Sequence, residues 1–384
     1  MTAIFDFPAP PEAPNSDALR AEVRAFLAEE LADFPPRERA LSWTGFSADF
    51  SRKLGERGWI AMTWPKEYGG HERSALDRYV VMEELLAAGA PVAAHWISDR
   101  QSGPLILRVG TEEQKRLVLP KIAAGECFFC IGMSEPDSGS DLAATRTRAT
   151  PVEGGFRVNG TKVWTTWAHK SHYMILFCRT DGGPEDRHKG VSQLLVDLTT
   201  PGITIRPIKD LTGGEHFNEV VFDDVFLPES AIIGARGDGW NQVTSELAFE
   251  RSGPERFLSS MALLQELIGR LSQQPGNERA EVIVGRLSAH LMVLRRLSRS
   301  VSGMLERGEN PALQASMVKD LGADFEQSIP DIARSLIECE PDQTAREEYA
   351  ATFAEVLLSV PSYSLRGGTR EILRGIIARG LGLR

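Results

Sequence analysis

Residues 132–166 decide how this chain is read. They open with Gly132-Met133-Ser134-Glu135-Pro136-Asp137-Ser138-Gly139-Ser140-Asp141-Leu142-Ala143-Ala144 and close with Lys162-Val163-Trp164-Thr165-Thr166. The first segment packs small residues, hydroxyls and glycines, the composition of a loop whose backbone N–H groups approach an anion without a P-loop lysine. The second ends a predicted strand with one aromatic wall and two hydroxyl donors, which suit a flat heteroaromatic ring. Together they read as a flavin seat within a site for an extended ligand.

Length and composition bound the rest. A chain of 384 residues is too long for one compact core and implies two or three domains of roughly 100–200 residues each. With 42% hydrophobic and 25% charged residues it falls among ordinary globular proteins. The net charge of −10 argues against nucleic acid or an anionic membrane as the main partner. Arg146 and Arg148 make only a local positive spot. No window reaches the ~18 apolar residues of a membrane span, and the opening Met-Thr-Ala-Ile-Phe-Asp-Phe-Pro has neither region of a signal peptide, so the cytoplasm is expected. Four cysteines make no disulfide framework, and Cys127 and Cys130, despite their redox spacing, read as buried thiols.

Residues 1–125 read as helical. Leu19, Val23, Phe26 and Leu27 share one face of a first helix, and Thr111-Glu112-Glu113-Gln114 is a capping box before the run Leu117 to Ile122. Thr63 to Gly70 is a loop by its Pro and Gly content, and His95 beside Trp96 reads as a packed histidine. Over 126–235 the period changes to two. Asn159-Gly160, between Phe156-Arg157-Val158 and Val163-Trp164, predicts a type I′ hairpin that presents Trp164. Further strands are expected at Tyr173 to Phe177, Ser192 to Val196, Ile203 to Arg206 and Glu219 to Phe222, giving a small antiparallel β domain. No Gly-x-Gly-x-x-Gly follows a strand, so a Rossmann site for NAD is not supported. Residues 236–384 return to helical spacing. Phe257, Met261, Leu264, Ile268 and Leu271 form one stripe, and Leu287, Leu291, Leu294 and Val301 another. A last helix is expected from the N-cap Thr369 to Gly380, burying Ile372, Ile376 and Ile377.

The order Ser-Glu-x-x-Ser-Gly-Ser-Asp-x-x-Ala followed by Lys-x-Trp-x-Thr resembles the acyl-CoA dehydrogenase family. The resemblance implies an α+β fold with an N-terminal helical domain, a central antiparallel β domain and a C-terminal four-helix bundle. It also implies an FAD-dependent α,β-dehydrogenation of an acyl-CoA thioester, with electrons passed to an electron-transferring flavoprotein. By the same resemblance Ile131, Met133, Ser134, Gly139, Ser140, Trp164, Thr165, Thr166, Thr369 and Glu371 belong to the FAD site, with the Thr166 hydroxyl near flavin N5. Ser140 and Arg251 are expected to reach the acyl-CoA substrate.

That chemistry needs a base at the α-carbon and hydrogen bonds that polarise the thioester carbonyl. The commonest family position for the base is a Glu before the Gly-Thr of the last helix; here Leu365-Arg366-Gly367-Gly368-Thr369 puts Gly367 there, able to serve only through its backbone N–H. A minority of the family places Glu in an earlier Glu-Arg pair, which Glu250-Arg251 matches, so Glu250 is the candidate base. Glu255, in a second Glu-Arg pair, and the lack of any base in this chain stay open beside it.

Two family motifs that reach FAD in a neighbouring subunit are missing. In place of Arg-x-x-Phe-Gly stands Gly269 to Asn277, with Gln273, Gln274 and Pro275, and the stretch Thr344 to Leu358 has no glycine pair. Either Arg270 or Arg286 replaces those contacts in a homo-oligomer, dimer or tetramer, or the chain pairs with a homologous subunit, as some bacterial members acting on steroid side chains do. It then completes another polypeptide's site without turning over alone. An acyl-CoA oxidase is a third reading, weakened because the chain lacks the long C-terminal extension of many oxidases.

Overall fold

The structure, a computed structural model, describes residues 6–10, 16–274 and 276–383, and at 184 and 246–250 only the backbone. In chain order the helices before the sheet are α1 (Ser16–Glu30), α2 (Pro36–Arg39), α3 (Ala48–Glu56), α4 (Ala75–Ala87), α5 (Ala93–Ile97), α6 (Gly103–Val109) and α7 (Glu112–Ala123). The strands are β1 (Phe129–Gly132), β2 (Arg148–Val152), β3 (Gly155–Thr166), β4 (Tyr173–Arg179), β5 (Val191–Asp197), β6 (Ile203–Ile208) and β7 (Phe217–Pro228). After them come α8 (Gly239–Glu250), α9 (Met261–Leu271), α10 (Glu278–Glu306), α11 (Ala312–Leu336), α12 (Glu348–Ser359) and α13 (Arg370–Gly380). The order of a helical region, a β domain and C-terminal helices is the one expected. No helix among the described residues is long and apolar enough to cross a membrane.

The chain packs as two compact units. One comprises Ser47–Glu72 and Ala93–Leu247 and carries the sheet; the other comprises Met1–Phe46, Arg73–Val92 and Ala248–Arg384. In the sheet unit the strands run β1-β4-β2-β3-β7-β6, with β5 on the other edge of β4. Most ladders are antiparallel, but β1 pairs with β4 in parallel, because the chain returns through β2 and β3 before laying β4 beside β1. Inward residues at period two, among them Phe156, Val158, Leu176, Leu194, Val220 and Phe222, make its core. The capping box closes as expected, and Gln114 also donates through Nε2 to the carbonyls of Ser230 (2.8 Å) and Ile232 (2.9 Å). His95 is buried with Nδ1 2.8 Å from Ser51 Oγ, the packed role. Burial raises the thiols of Cys127 and Cys130 to about 12, so neither is a reactive thiolate.

The hairpin expected at Asn159-Gly160 does not form. β3 runs straight through it, and the two-residue turn lies earlier in the chain, at Glu153-Gly154, where Val152 pairs with Gly155 and Gly154 has φ +75°. Gly160 instead sits at a β-bulge against β7 with φ +147°, and Asn159 Oδ1 accepts from Asp224 N at 2.9 Å across it. The dipeptide's tolerance of unusual φ is used to bend a long strand, not to reverse it.

In the helical unit α1 buries Leu19, Val23, Phe26 and Leu27 as its spacing requires. Helix α4 is buried nearly all round, so its carboxylates need partners: Glu83 accepts from Arg20 on α1 and Arg295 on α10, and Glu84 from Arg20 and Arg24. The last helix departs from expectation, since Leu373 is its fully buried residue and Ile372 is 42% exposed. The helix presents to its neighbours the face one residue further on.

A Cβ at Gly160 would lie 2.6 Å from Thr147 Oγ1 and 2.7 Å from Thr147 Cα, on a backbone that L residues avoid. Gly160→Ala should therefore cost roughly 2–3 kcal/mol, seen as a lower Tm. Gly285→Ala, in the middle of α10 with nothing within 4 Å of its Cβ, should instead stabilise by about 0.5–1 kcal/mol.

Candidate active site

In the sheet unit the two segments quoted at the outset are joined by a buried ion pair. Lys162 lies on the inward face of β3, in step with Phe156 and Val158, and is fully buried. Its Nζ donates to Glu135 Oε1 (2.8 Å), Met133 O (3.0 Å) and Thr145 Oγ1 (3.1 Å). Three acceptors match the three donors of an ammonium. Glu135 Oε1 also accepts from Thr145 Oγ1 (2.5 Å) and Thr147 N (2.9 Å), and Oε2 from Arg146 N (2.7 Å). Burial alone would raise the Glu135 carboxyl, but the Lys162 charge and these hydrogen bonds overcome it and bring it from the ordinary 4.5 to about 2. Burial acts on Lys162 too and lowers its pKa despite Glu135, so the net gain from the pair is smaller than the Glu135 shift alone suggests.

Around this pair the loop is closed on itself. Val163 N donates to Ser134 O (2.9 Å), and Glu135 and Ser138 exchange backbone hydrogen bonds across Pro136 and Asp137. Ser138 Oγ donates to Asp141 O (2.7 Å), and Arg187 grips the Asp141 carboxylate with both Nη atoms at 2.9 and 2.7 Å. Ile131 is half-buried in β1 opposite Ile175, Met133 and Ser134 are half-buried, and Gly139 and Ser140 are exposed at the loop tip.

Beyond Lys162 the β3–β7 register shifts by one residue before Thr165 pairs with Asn218. Trp164 absorbs the shift with φ +60°, and its ring stays 59% exposed, meeting Phe217 edge-on at 6.0 Å. Thr165 turns inward; its carbonyl accepts from Asn218 Nδ2 (3.0 Å) and its hydroxyl is buried with no hydrogen-bond partner. Thr166 pairs with Phe217 and is half-buried. An uncovered aromatic face held by a strand bulge fits a flat ring, so the residues present suit a flavin.

The helical unit holds the remaining candidates. Glu250 is the last residue of α8, and its side chain lies outside the described residues. Arg251 is buried and donates through Nε to Gly367 O (3.0 Å). Gly367 and Gly368 take φ +67° and +97°, and a Cβ on either would stand 3.3 Å from a guanidinium, that of Arg256 or of Arg251. Arg366 anchors the turn, donating through Nη2 to Glu326 Oε2 (2.6 Å), Ser259 Oγ (2.9 Å) and Glu255 O (3.0 Å) between the rings of Trp43 and Tyr363. Glu255, the alternative base, is buried with an oxygen 3.2 Å from Arg256 Nε. Thr369 takes the extended N-cap backbone but makes no side-chain cap bond. The exposed Glu371 carboxyl lies below its usual range through its own N–H and the Thr369 hydroxyl. Arg270, considered above as a substitute FAD contact, is taken up by Glu347 and the ring of Tyr349, whereas Arg286 is exposed on α10. Of the stretch around Gln273 and Gln274, Pro275 lies outside the described residues.

Glu135 and Lys162 lie inside the two segments that open and close residues 132–166, yet the sequence assigned them no role there. The signal was present: a lysine in step with Phe156 and Val158 on a core-facing strand face must find a carboxylate. The depressed Glu135 pKa has a consequence with a definite sign. A folded pKa below the unfolded one contributes stability above about 4.5 that is lost as pH falls toward 2. The Tm difference between wild type and Glu135→Gln should thus be widest near neutrality and narrow between pH 5 and 2.

The family model of the acyl-CoA dehydrogenase N-terminal domain matches residues 13–126 and that of the middle domain residues 130–225. Acyl-CoA dehydrogenase IpdE1 of Mycobacterium tuberculosis is 33% identical over 381 residues, 96% of this chain and 97% of its own. Acyl-CoA dehydrogenase FadE34 of the same organism is 33% identical over 94% of this chain, which spans only 48% of that longer relative. The crystal structure of the ChsE4-ChsE5 complex from Mycobacterium tuberculosis matches with a TM-score of 0.84 at 29% identity, over 97% of this chain and 99% of the solved one. The chain belongs to the acyl-CoA dehydrogenase family of FAD-dependent oxidoreductases.

Proposed function

We propose that the protein converts an acyl-CoA thioester to the 2,3-enoyl-CoA and passes the electrons to an electron-transferring flavoprotein. The observation that carries this reading is the seat in the sheet unit, where a loop locked to β3 leaves the face of Trp164 uncovered. Ile131, Met133, Ser134, Gly139, Ser140, Trp164, Thr165, Thr166, Thr369 and Glu371 would hold FAD, which supplies the acceptor for the β-hydride. Glu250 takes the α-proton onto its carboxylate. The Gly367 N–H donates to the thioester oxygen as negative charge develops there; the turn that carries it is held on both sides, by Arg251 on the carbonyl of the following peptide and by the anchored Arg366 side chain of the residue before. Arg251 and Ser140 contribute to binding the acyl-CoA. The division 1–125, 126–235 and 236–384 follows the change of element type and is proposed as the functional partition.

A second reading, that the chain works beside an unlike subunit, is favoured by a specific observation. The ChsE4-ChsE5 relative is solved as a complex, and here Arg270 is already engaged by Glu347 and Tyr349. One tightly bound FAD per chain in protein expressed alone would contradict it. Sub-stoichiometric FAD that rises on co-expression with a homologue would support it.

Glu250→Gln should slow anaerobic flavin reduction by acyl-CoA by roughly 10²–10⁴-fold or more, with binding of a substrate analogue largely kept. Near-wild-type reduction would move the base to Glu255 or to a partner chain.

A further inference from the structure

We propose that Glu135 and Lys162 are positioning residues of the flavin seat: the pair sets the Met133–Ser134 backbone against Trp164–Thr166, so that FAD affinity and the flavin's environment depend on it beyond its effect on folding. The inference rests on the reading of this seat as the FAD site. Three consecutive loop residues are fastened to two consecutive strand residues. Met133 O and the Glu135 carboxylate meet Lys162 Nζ, and Ser134 O meets Val163 N. The same carboxylate collects Thr145, Arg146 N and Thr147 N, so it clamps the far end of the loop as well. Lys162 is also the last β3 residue in register with β7, opposite Val220, before the bulge that turns Trp164 outward.

A buried ion pair is weak evidence for stability, because a well-packed apolar pair often does as well. Apolar side chains cannot supply directed bonds to a chosen carbonyl and two chosen N–H groups. What the pair adds over an apolar one is a fixed separation between two backbone segments, both of which are read here as flavin contacts. Glu135 and Lys162 themselves are buried and are not placed against the ring.

The test uses the holoprotein, in whatever assembly it is purified, well below its Tm. Lys162→Met keeps the stem and removes the charge. Thr145→Val is the milder variant, removing one donor to Glu135 without changing shape. Val158→Ala, in the core of the same strand, serves as a control that lowers Tm by opening a cavity without touching the pair. Lys162→Met should raise the FAD Kd at least tenfold and Thr145→Val severalfold, both with a changed flavin absorption envelope, while Val158→Ala leaves Kd and spectrum within twofold and unshifted. If Lys162→Met and Thr145→Val lower Tm but bind FAD with the wild-type Kd and spectrum, the positioning role is overturned and the FAD site stands. Wild-type protein that takes up no FAD overturns both.

Discussion

A charge cannot be left alone inside a sheet, and that constraint organises this molecule's candidate site. Lys162 is buried because β3 needs an inward side chain at its position, and once buried its ammonium must be satisfied. Glu135, Thr145 and the Met133 carbonyl satisfy it, and all three come from the loop between β1 and β2 or its flanks. The loop therefore has one way to lie. Its glycines and serines, which by themselves would populate many conformations, inherit order from a single carboxylate with four donors on it. The bulge that exposes Trp164 begins where this anchoring ends.

The helical unit solves a different problem with similar means. A turn of two left-handed glycines, Gly367 and Gly368, lies against guanidinium groups that a Cβ on either would approach to 3.3 Å. Arg251 takes the Gly367 carbonyl, and Arg366, stacked between Trp43 and Tyr363, is tied to the buried Glu326. The engaged carbonyl fixes the Gly367–Gly368 peptide and the Arg366 side chain anchors the residue before, so the Gly367 N–H between them sits in a turn held on both sides, the preorganisation an oxyanion donor needs. At 367 a side chain would sit on a left-handed backbone and would need the Arg256 guanidinium to give slightly, so glycine suits the position best.

Periodicity and capping were legible in the sequence wherever one local signal was uncontested. The buried face of α1, the capping box of α7 and the position of each expected strand came through because burial and backbone preference agreed. The misreadings arose where two backbone uses share one residue type. Asn159-Gly160 suits a turn and a bulge equally, and only the pairing with β7 chooses between them. Ile372 and Leu373 are both apolar, and the packing of α13 decides which is covered. The parallel pairing of β1 with β4 and the Glu135–Lys162 pair are long-range facts that no window of local sequence contains. The FAD seat was legible in its residue types and through family resemblance, Glu250 rests on that resemblance alone, and the bond from Arg251 to the Gly367 carbonyl was not foreseen.

The most direct measurement is a double-mutant cycle on unfolding with Glu135→Gln, Lys162→Met and the combined variant. Removing either partner alone leaves a buried polar group unmatched and should cost roughly 3–5 kcal/mol. Removing both should cost clearly less than the sum, because no uncompensated charge remains. Additive losses would mean that Lys162 and Glu135 are not coupled, contradicting the view that this pair holds the loop to the strand.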